Sequence, residues 1–169
     1  MGERAERQAG TAAATRFFGA GRRPRSAGGL TAGVSYVLNM LAYDGLDVEF
    51  VTLSRYVAPL IEEAMKGAVI LLLLRTHRIG FLVDAAIFGV AVGAGFAMVE
   101  NLFYLRSLAE AHVGVWIVRG FGTAVMHGGV QAIFAVMLVA ISDRRGRTDL
   151  NALVPALLAA AAIHSVFNH

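Results

Sequence analysis

Several side chains able to do chemistry stand in this sequence where an apolar helix should carry none. The densest group is Glu62-Glu63-Ala64-Met65-Lys66, which holds the only lysine of the chain. Glu100, Arg119, His127 and the pair His164 and Asn168 follow downstream in similar surroundings. A charge near a bilayer centre costs at least ~2.5–3.5 kcal/mol on insertion scales, so such residues face a protein interior or a wet cavity and mark function by default. Helical spacing groups them. Glu62 and Lys66 are i,i+4 and Glu63 and Lys66 are i,i+3, so the lysine can pair with either glutamate. Phe96, Glu100 and Tyr104 share one face, as do His164 and Asn168. The chemistry this set suits is hydrolysis. A glutamate in a partly dry pocket can act as general base on a water, and histidine and asparagine can hydrogen-bond a developing oxyanion. Two glutamates and two histidines also make a zinc set, with Glu63, Glu100, His127 and His164 as candidates. Three protein ligands plus a water is the catalytic pattern. There is no HExxH motif to name a metal site directly.

The elements that must position these groups read as membrane helices. The chain has 169 residues, is 57% hydrophobic and only 16% charged, against about one quarter charged in soluble domains. It contains no cysteine, which removes disulfides, thiolate metal sites and a cysteine nucleophile. The net charge of +3 comes from arginines that bracket apolar segments, a membrane-topology pattern and not a nucleic-acid footprint. Residues 1–29 are basic and glycine-rich, without the apolar core of a signal peptide, and are expected to form a disordered tail. Five apolar segments follow in the membrane-embedded region 30–169: Leu30–Tyr43, Val57–Leu74, Phe81–Leu105, Val115–Ile141 and Leu150–His169. The first is short; the other four reach or approach the ~20 residues that a bilayer needs. Long continuous runs favour helices over a barrel. The expected fold is therefore an all-α, multi-pass transmembrane bundle of about five helices.

Charge alternates between the connections. The tail, the Arg75 and Arg78 turn, and Arg144, Arg145 and Arg147 are basic; Asp44, Asp47 and Glu49 are acidic; Arg106 and Glu110 balance. The positive-inside rule then places the N-terminus in the cytoplasm. Counting ~1.5 Å per residue, Glu62, Glu63 and Glu100 lie ~8–9 Å below the outer surface. His164 lies ~21 Å above the inner one, again ~9 Å deep in a ~30 Å core, and His127 ~12–18 Å. The polar groups of four helices thus fall in the outer half of the bilayer. Gly89 and Gly93, in GxxxG spacing, and Gly95 make a small-residue face for close helix packing, as do Gly120, Gly122, Gly128 and Gly129. Asp84 can snorkel to the inner surface.

Glu62-Glu63-x-x-Lys66, Phe96-x-x-x-Glu100-Asn101-x-x-Tyr104, His127 and His164-x-x-x-Asn168 together resemble the PrsW family of intramembrane proteases, over roughly residues 54–169. That family is related to the CAAX prenyl endoprotease and bacteriocin-processing group. Any one motif is weak; the ordered combination is specific. The resemblance implies a multi-pass peptidase of a bacterial cytoplasmic membrane, acting on a membrane-anchored, anti-sigma-factor-like protein on its extracytoplasmic side. Carried over, Glu62 is the base, Glu63 pairs with Lys66, and His164 and Asn168 bind the oxyanion. Asn101 and Tyr104 support the site. The family is classed with metallopeptidases, which implies a divalent metal such as zinc, while a metal-free glutamate mechanism holds for its relatives. This chain departs from the related CAAX pattern by Glu100, where FxxxH would place a histidine.

Each motif also has a plain structural role to set beside the chemical one. Glu62, Glu63 and Lys66 could be an ion-pair cluster, Glu100 a partner of Arg119, and His127 a hydrogen-bonded core residue. Two other function classes use similar residues. A small proton-coupled transporter would distribute polar groups across both halves of the membrane. An inactive relative would bind membrane partners without cutting them.

Overall fold

A computed structural model describes residues 2–107, 112–144 and 150–169, with side chains described for 24–104, 112–142 and 151–169. Glu110, Arg145 and Arg147 lie outside the described residues, as do the side chains of Arg106 and Arg144. Among the described residues there are five long helices and no strands. They are α1 (Gly2–Leu46), α2 (Ala58–Arg75), α3 (Leu82–Ser107), α4 (Thr123–Arg144) and α5 (Leu153–Phe167). Single π-helical turns lead into α2 (Leu53–Val57) and α4 (Val118–Gly122).

Local sequence sets the helix ends. Pro59 sits in the first turn of α2, where its missing N–H costs nothing. The same helix stops because His77 takes φ 54°. The His77 and Arg78 amides then donate back to the Leu74 and Leu73 carbonyls, a Schellman cap. Asp84, expected to snorkel, instead accepts from the Gly80 and Phe81 amides and caps the start of α3.

α3 is the central helix, packed on α4 along most of its length and crossed by α1 on another face. Glycine makes the first contact possible. A Cβ on Gly93 would drive into the His127 carbonyl, and one on Gly89 would stand 2.6 Å from the Ala132 Cα. The close approach expected of Gly89 and Gly93 is therefore present, and it brings His127 onto α3. The downstream glycines do not behave alike: Gly120 and Gly129 have nothing within 4 Å, and Gly122 and Gly128 make only ordinary contacts. The expected tail boundary at Gly29 also moves. Gly2–Leu46 is one helix, Pro24 is buried, and Gly28 meets the Val92 carbonyl closely, so α1 joins the bundle before Leu30.

The core between α2, α3, α4 and α5 is built from Ile70, Val92, Phe134, Leu138 and Ala160. Large apolar side chains point outward elsewhere; Met98, Phe121 and Val166 are each more than 70% exposed. So much exposed apolar surface suits lipid and not water. Two spans, Leu82–Tyr104 and Val113–Ser142, are long and apolar enough to cross a membrane, and Leu153–Phe167 is a shorter apolar helix. Of the four segments expected to reach or approach the length of a span, α2 has the length, with Glu62, Glu63 and Lys66 interrupting its apolar run. The all-helical membrane bundle stands.

Candidate active site

Four helices each send polar side chains to one point. α2 supplies Glu62, Glu63 and Lys66, α3 supplies Glu100, α4 supplies His127 and α5 supplies His164. Glu63, Lys66 and His127 have no solvent exposure and His164 almost none. Glu62 and Glu100 lie at their edge and line a cavity of about 360 Å³ between α1, α2 and α3.

Lys66 holds the buried half together. Its Nζ is 2.6 Å from Glu63 Oε1 and 2.7 Å from His127 Nδ1. It also lies 4.1 Å from the ring centroid of Phe96. Phe96 in turn packs on His127, with ring centroids 4.9 Å apart. An ammonium has only protons to give, so His127 Nδ1 is the acceptor. His127 Nε2 then carries the proton and donates to Glu100 Oε2 at 2.8 Å. The same logic fixes His164: Nδ1 donates to Glu63 Oε1 at 2.8 Å, which leaves Nε2 as a free lone pair. That lone pair is 3.9 Å from Glu62 Oε2, a buried oxygen with no hydrogen-bond partner. The other Glu62 oxygen accepts from Asn39 Nδ2 at 3.2 Å. Glu62 Oε2 and His164 Nε2 therefore face one another too far apart for a direct hydrogen bond, at a separation that one water or cation can bridge.

Glu63 pairs with Lys66, and Arg119 stands on the far side of Glu100, its Nη2 4.0 Å from Glu100 Oε1. Arg119 also stacks its guanidinium 3.3 Å from the centroid of Tyr104. Asn101 bonds the Gly120 carbonyl and so ties the turn carrying Arg119 to α3. Asn101, Tyr104 and Arg119 thus support the Glu100 side.

Asn168 is not brought in. It caps the end of α5, where its exposed side-chain amide donates to the Ser54 carbonyl at 2.9 Å. The expected His164–Asn168 pair shares a helix face but not a site: Asn168 lies one turn further on, at the helix end, where Ser54 takes its side chain. Asn39, Ser35 and Gln131 are polar groups that the motif reading passed over. Ser35 and Asn39 are themselves an i,i+4 polar pair inside an apolar run, and Gln131 stands four residues after His127. The spacing that singled out His164 and Asn168 would have found them.

A sequence model described as "PrsW family intramembrane metalloprotease" matches residues 14–169, nearly the whole chain. The chain belongs to the PrsW family. No curated protein and no solved structure matches it. Membership makes it a membrane protein of an intramembrane peptidase family, whose substrates are membrane proteins.

The metal implied by the PrsW description can be tested against the donors present. Glu62, His127 and His164 each offer a ligand atom, all within 4.8 Å of one another. Each histidine is backed by a carboxylate, Glu100 behind His127 and Glu63 behind His164, as the histidine ligands of zinc commonly are. With the unpartnered Glu62 Oε2, this donor set fits a divalent ion such as zinc. It differs from the expected set of Glu63, Glu100, His127 and His164 by Glu62; Glu63 and Glu100 each give one oxygen to a histidine, and Glu63 Oε2 is buried and unpartnered. One condition applies: Lys66 must release His127 Nδ1 first.

Proposed function

We propose that the protein is an endopeptidase that hydrolyses a peptide bond of a membrane-anchored protein by general-base attack of water, with Glu62 as proton acceptor. The observation that carries this is the 3.9 Å gap between two free acceptors, Glu62 Oε2 and His164 Nε2, beside a cavity large enough for a short stretch of peptide. A water in that gap donates one hydrogen bond to each acceptor, which turns its lone pairs away from both. Glu62 takes the proton as the water oxygen attacks the carbonyl carbon, and later returns it to the leaving amine. His164 orients the water through Nε2 while Glu63 holds its ring by Nδ1. Lys66 keeps Glu63 ionised and in place. His127 transmits the Lys66 contact to Glu100 and fixes that carboxylate at the cavity wall.

A metal-dependent version is favoured by the convergence of Glu62, His127 and His164. Those three residues would hold the ion, which when bound supplies a Lewis acid and a more acidic water. The buried charged side chains form a single cluster among the described residues, which speaks for a reaction centre and against a relay across the membrane. The resemblance supports a bacterial cytoplasmic membrane, and the charge pattern supports an N-terminus in the cytoplasm and a site in the outer half of the bilayer. The substrate class by resemblance is an anti-sigma-factor-like membrane protein. The test is cleavage of single-pass membrane reporters co-expressed with the chain. Glu62→Gln and His164→Ala abolish cleavage at unchanged protein level; cleavage that survives both changes ends the peptidase assignment.

A further inference from the structure

One wall of the cavity is α1, and two polar side-chain atoms are buried there without a partner. Ser35 is 1% exposed and its Oγ has no hydrogen-bond partner; Asn39 Oδ1 is likewise buried and unpartnered. Both residues line the cavity with Glu62 and Glu100. A buried polar atom left unsatisfied is destabilising, so a ligand that completes it is favoured there. Their spacing says what kind of ligand. Residues four apart on a helix are offset by about 6 Å along its axis. Alternate residues of an extended strand, whose N–H groups point to the same side, are separated by about 6.6–6.8 Å. The match is to a peptide backbone, and to an extended one.

We propose that Ser35 and Asn39 form a two-rung backbone-binding ladder that holds a locally unwound segment of the substrate along α1; this rests on the peptidase reading above. Asn39 Oδ1 accepts one substrate amide, and Ser35 Oγ accepts the amide two residues away. Asn39 also donates to Glu62 through Nδ2, so the residue bound at Asn39 carries its peptide bond to the attacking group. Asn39 is thus a positioning residue for the base as well as a substrate ligand. The stacked rings of Tyr36 and Phe103, 5.2 Å apart, bridge α1 and α3 beside the ladder. With Met40 they make an apolar wall for a bulky apolar side chain next to the cut bond. A helical substrate satisfies its own amides and cannot use the ladder. The site therefore selects membrane segments whose helix is easily opened.

The test uses the full chain in detergent micelles and fluorescein-labelled Leu/Ala peptides of about 20 residues, each with a central Gly-Gly pair flanked by Ala, Leu or Phe. Binding is read by anisotropy on the Glu62→Gln variant, so turnover does not interfere. Backbone N-methylation is then moved one residue at a time through the central region. Two positions, two residues apart, weaken binding about tenfold or more, the size of one lost hydrogen bond. Ser35→Ala abolishes sensitivity at one of these positions and Asn39→Ala at the other. In the wild-type background Asn39→Ala also lowers kcat more than it raises KM, and Asn39→Gln recovers part of the loss. A flat scan, sensitivity untouched by both variants, or no binding by any peptide overturns the ladder. Position-dependent binding without cleavage by the wild type supports the ladder while refuting the peptidase reading, so the two failures are distinct.

Discussion

Replacing Lys66 with Met keeps the length and apolar stem of the side chain and deletes its charge. The structure gives Lys66 three partners at once: Glu63 at 2.6 Å, His127 at 2.7 Å and the Phe96 ring at 4.1 Å. The gross Coulomb attraction of the ion pair is on the order of 6 kcal/mol at an effective dielectric of about 20. Most of that offsets the desolvation of both groups, so the gross figure overstates what the pair adds. What Lys66→Met leaves behind is Glu63 as a buried carboxylate without its cation, and breaking one side of a buried pair costs about 3–5 kcal/mol. Glu63→Gln in the same background removes the stranded charge. The double variant is therefore expected to recover much of the lost stability, a coupling of about 2 kcal/mol or more. Denaturant-driven loss of helical circular dichroism in micelles measures all four corners of the cycle. Lys66→Met should also free His127 Nδ1 and raise zinc affinity, read by calorimetry independently of activity. Lys66→Met as stable as wild type, or a double variant no better than additive, would refute this account of the site. Cleavage unchanged by Lys66→Met would show that the lysine marks the site without serving it.

Other outcomes follow from the same geometry. Gly93→Ala pushes a methyl into the His127 carbonyl and should lower stability by about 1–3 kcal/mol together with cleavage; Gly129→Ala, with nothing within 4 Å, should leave both intact in the same assays. An oxyanion donor lost by mutation costs about 10²–10³-fold in kcat, whereas Asn168→Ala should stay near wild type because its amide lies on Ser54; a loss of that larger size would restore Asn168 to the chemistry. Zinc titrated into dialysed protein should occupy one site that Glu62→Gln and His164→Ala each weaken, and no binding in calorimetry removes the metal-dependent version. The chain lacks cysteine, so Asp47→Cys and Arg78→Cys can each be labelled singly in intact cells. An impermeant maleimide should reach the first from outside and not the second, and the reverse pattern overturns the proposed topology.

Much of the site is legible in the sequence because charge inside an apolar run is expensive and has few explanations. Glu62, Glu63, Lys66, Glu100, His127 and His164 stand out on that ground alone, and the i,i+3 pairing of Glu63 with Lys66 follows from helix pitch. The GxxxG spacing of Gly89 and Gly93 likewise announces a close helix contact. Asn168 shows the limit of that logic. Spacing by four gives a shared face but not a shared depth: one turn beyond His164, at the end of α5, the Asn168 side chain meets Ser54. Ser35 and Asn39 were overlooked for the opposite reason: uncharged polar residues are cheap enough in an apolar helix to pass for packing.

Residue types and their order make this a helical membrane protein with a costly polar cluster, and the succession of motifs carries the family. Which atom faces which emerges only when the helices pack. Lys66 turned out to grip His127 as well as Glu63, leaving Glu62 and His164 as the open pair. Glu63 and Glu100 each turn one oxygen to a histidine ring on another helix. The physical reason is that periodicity along one helix fixes the direction of a side chain but not its neighbour on the next. Partners across helices depend on how closely the backbones approach, and that is set by where glycines let α3 meet α4 and α1.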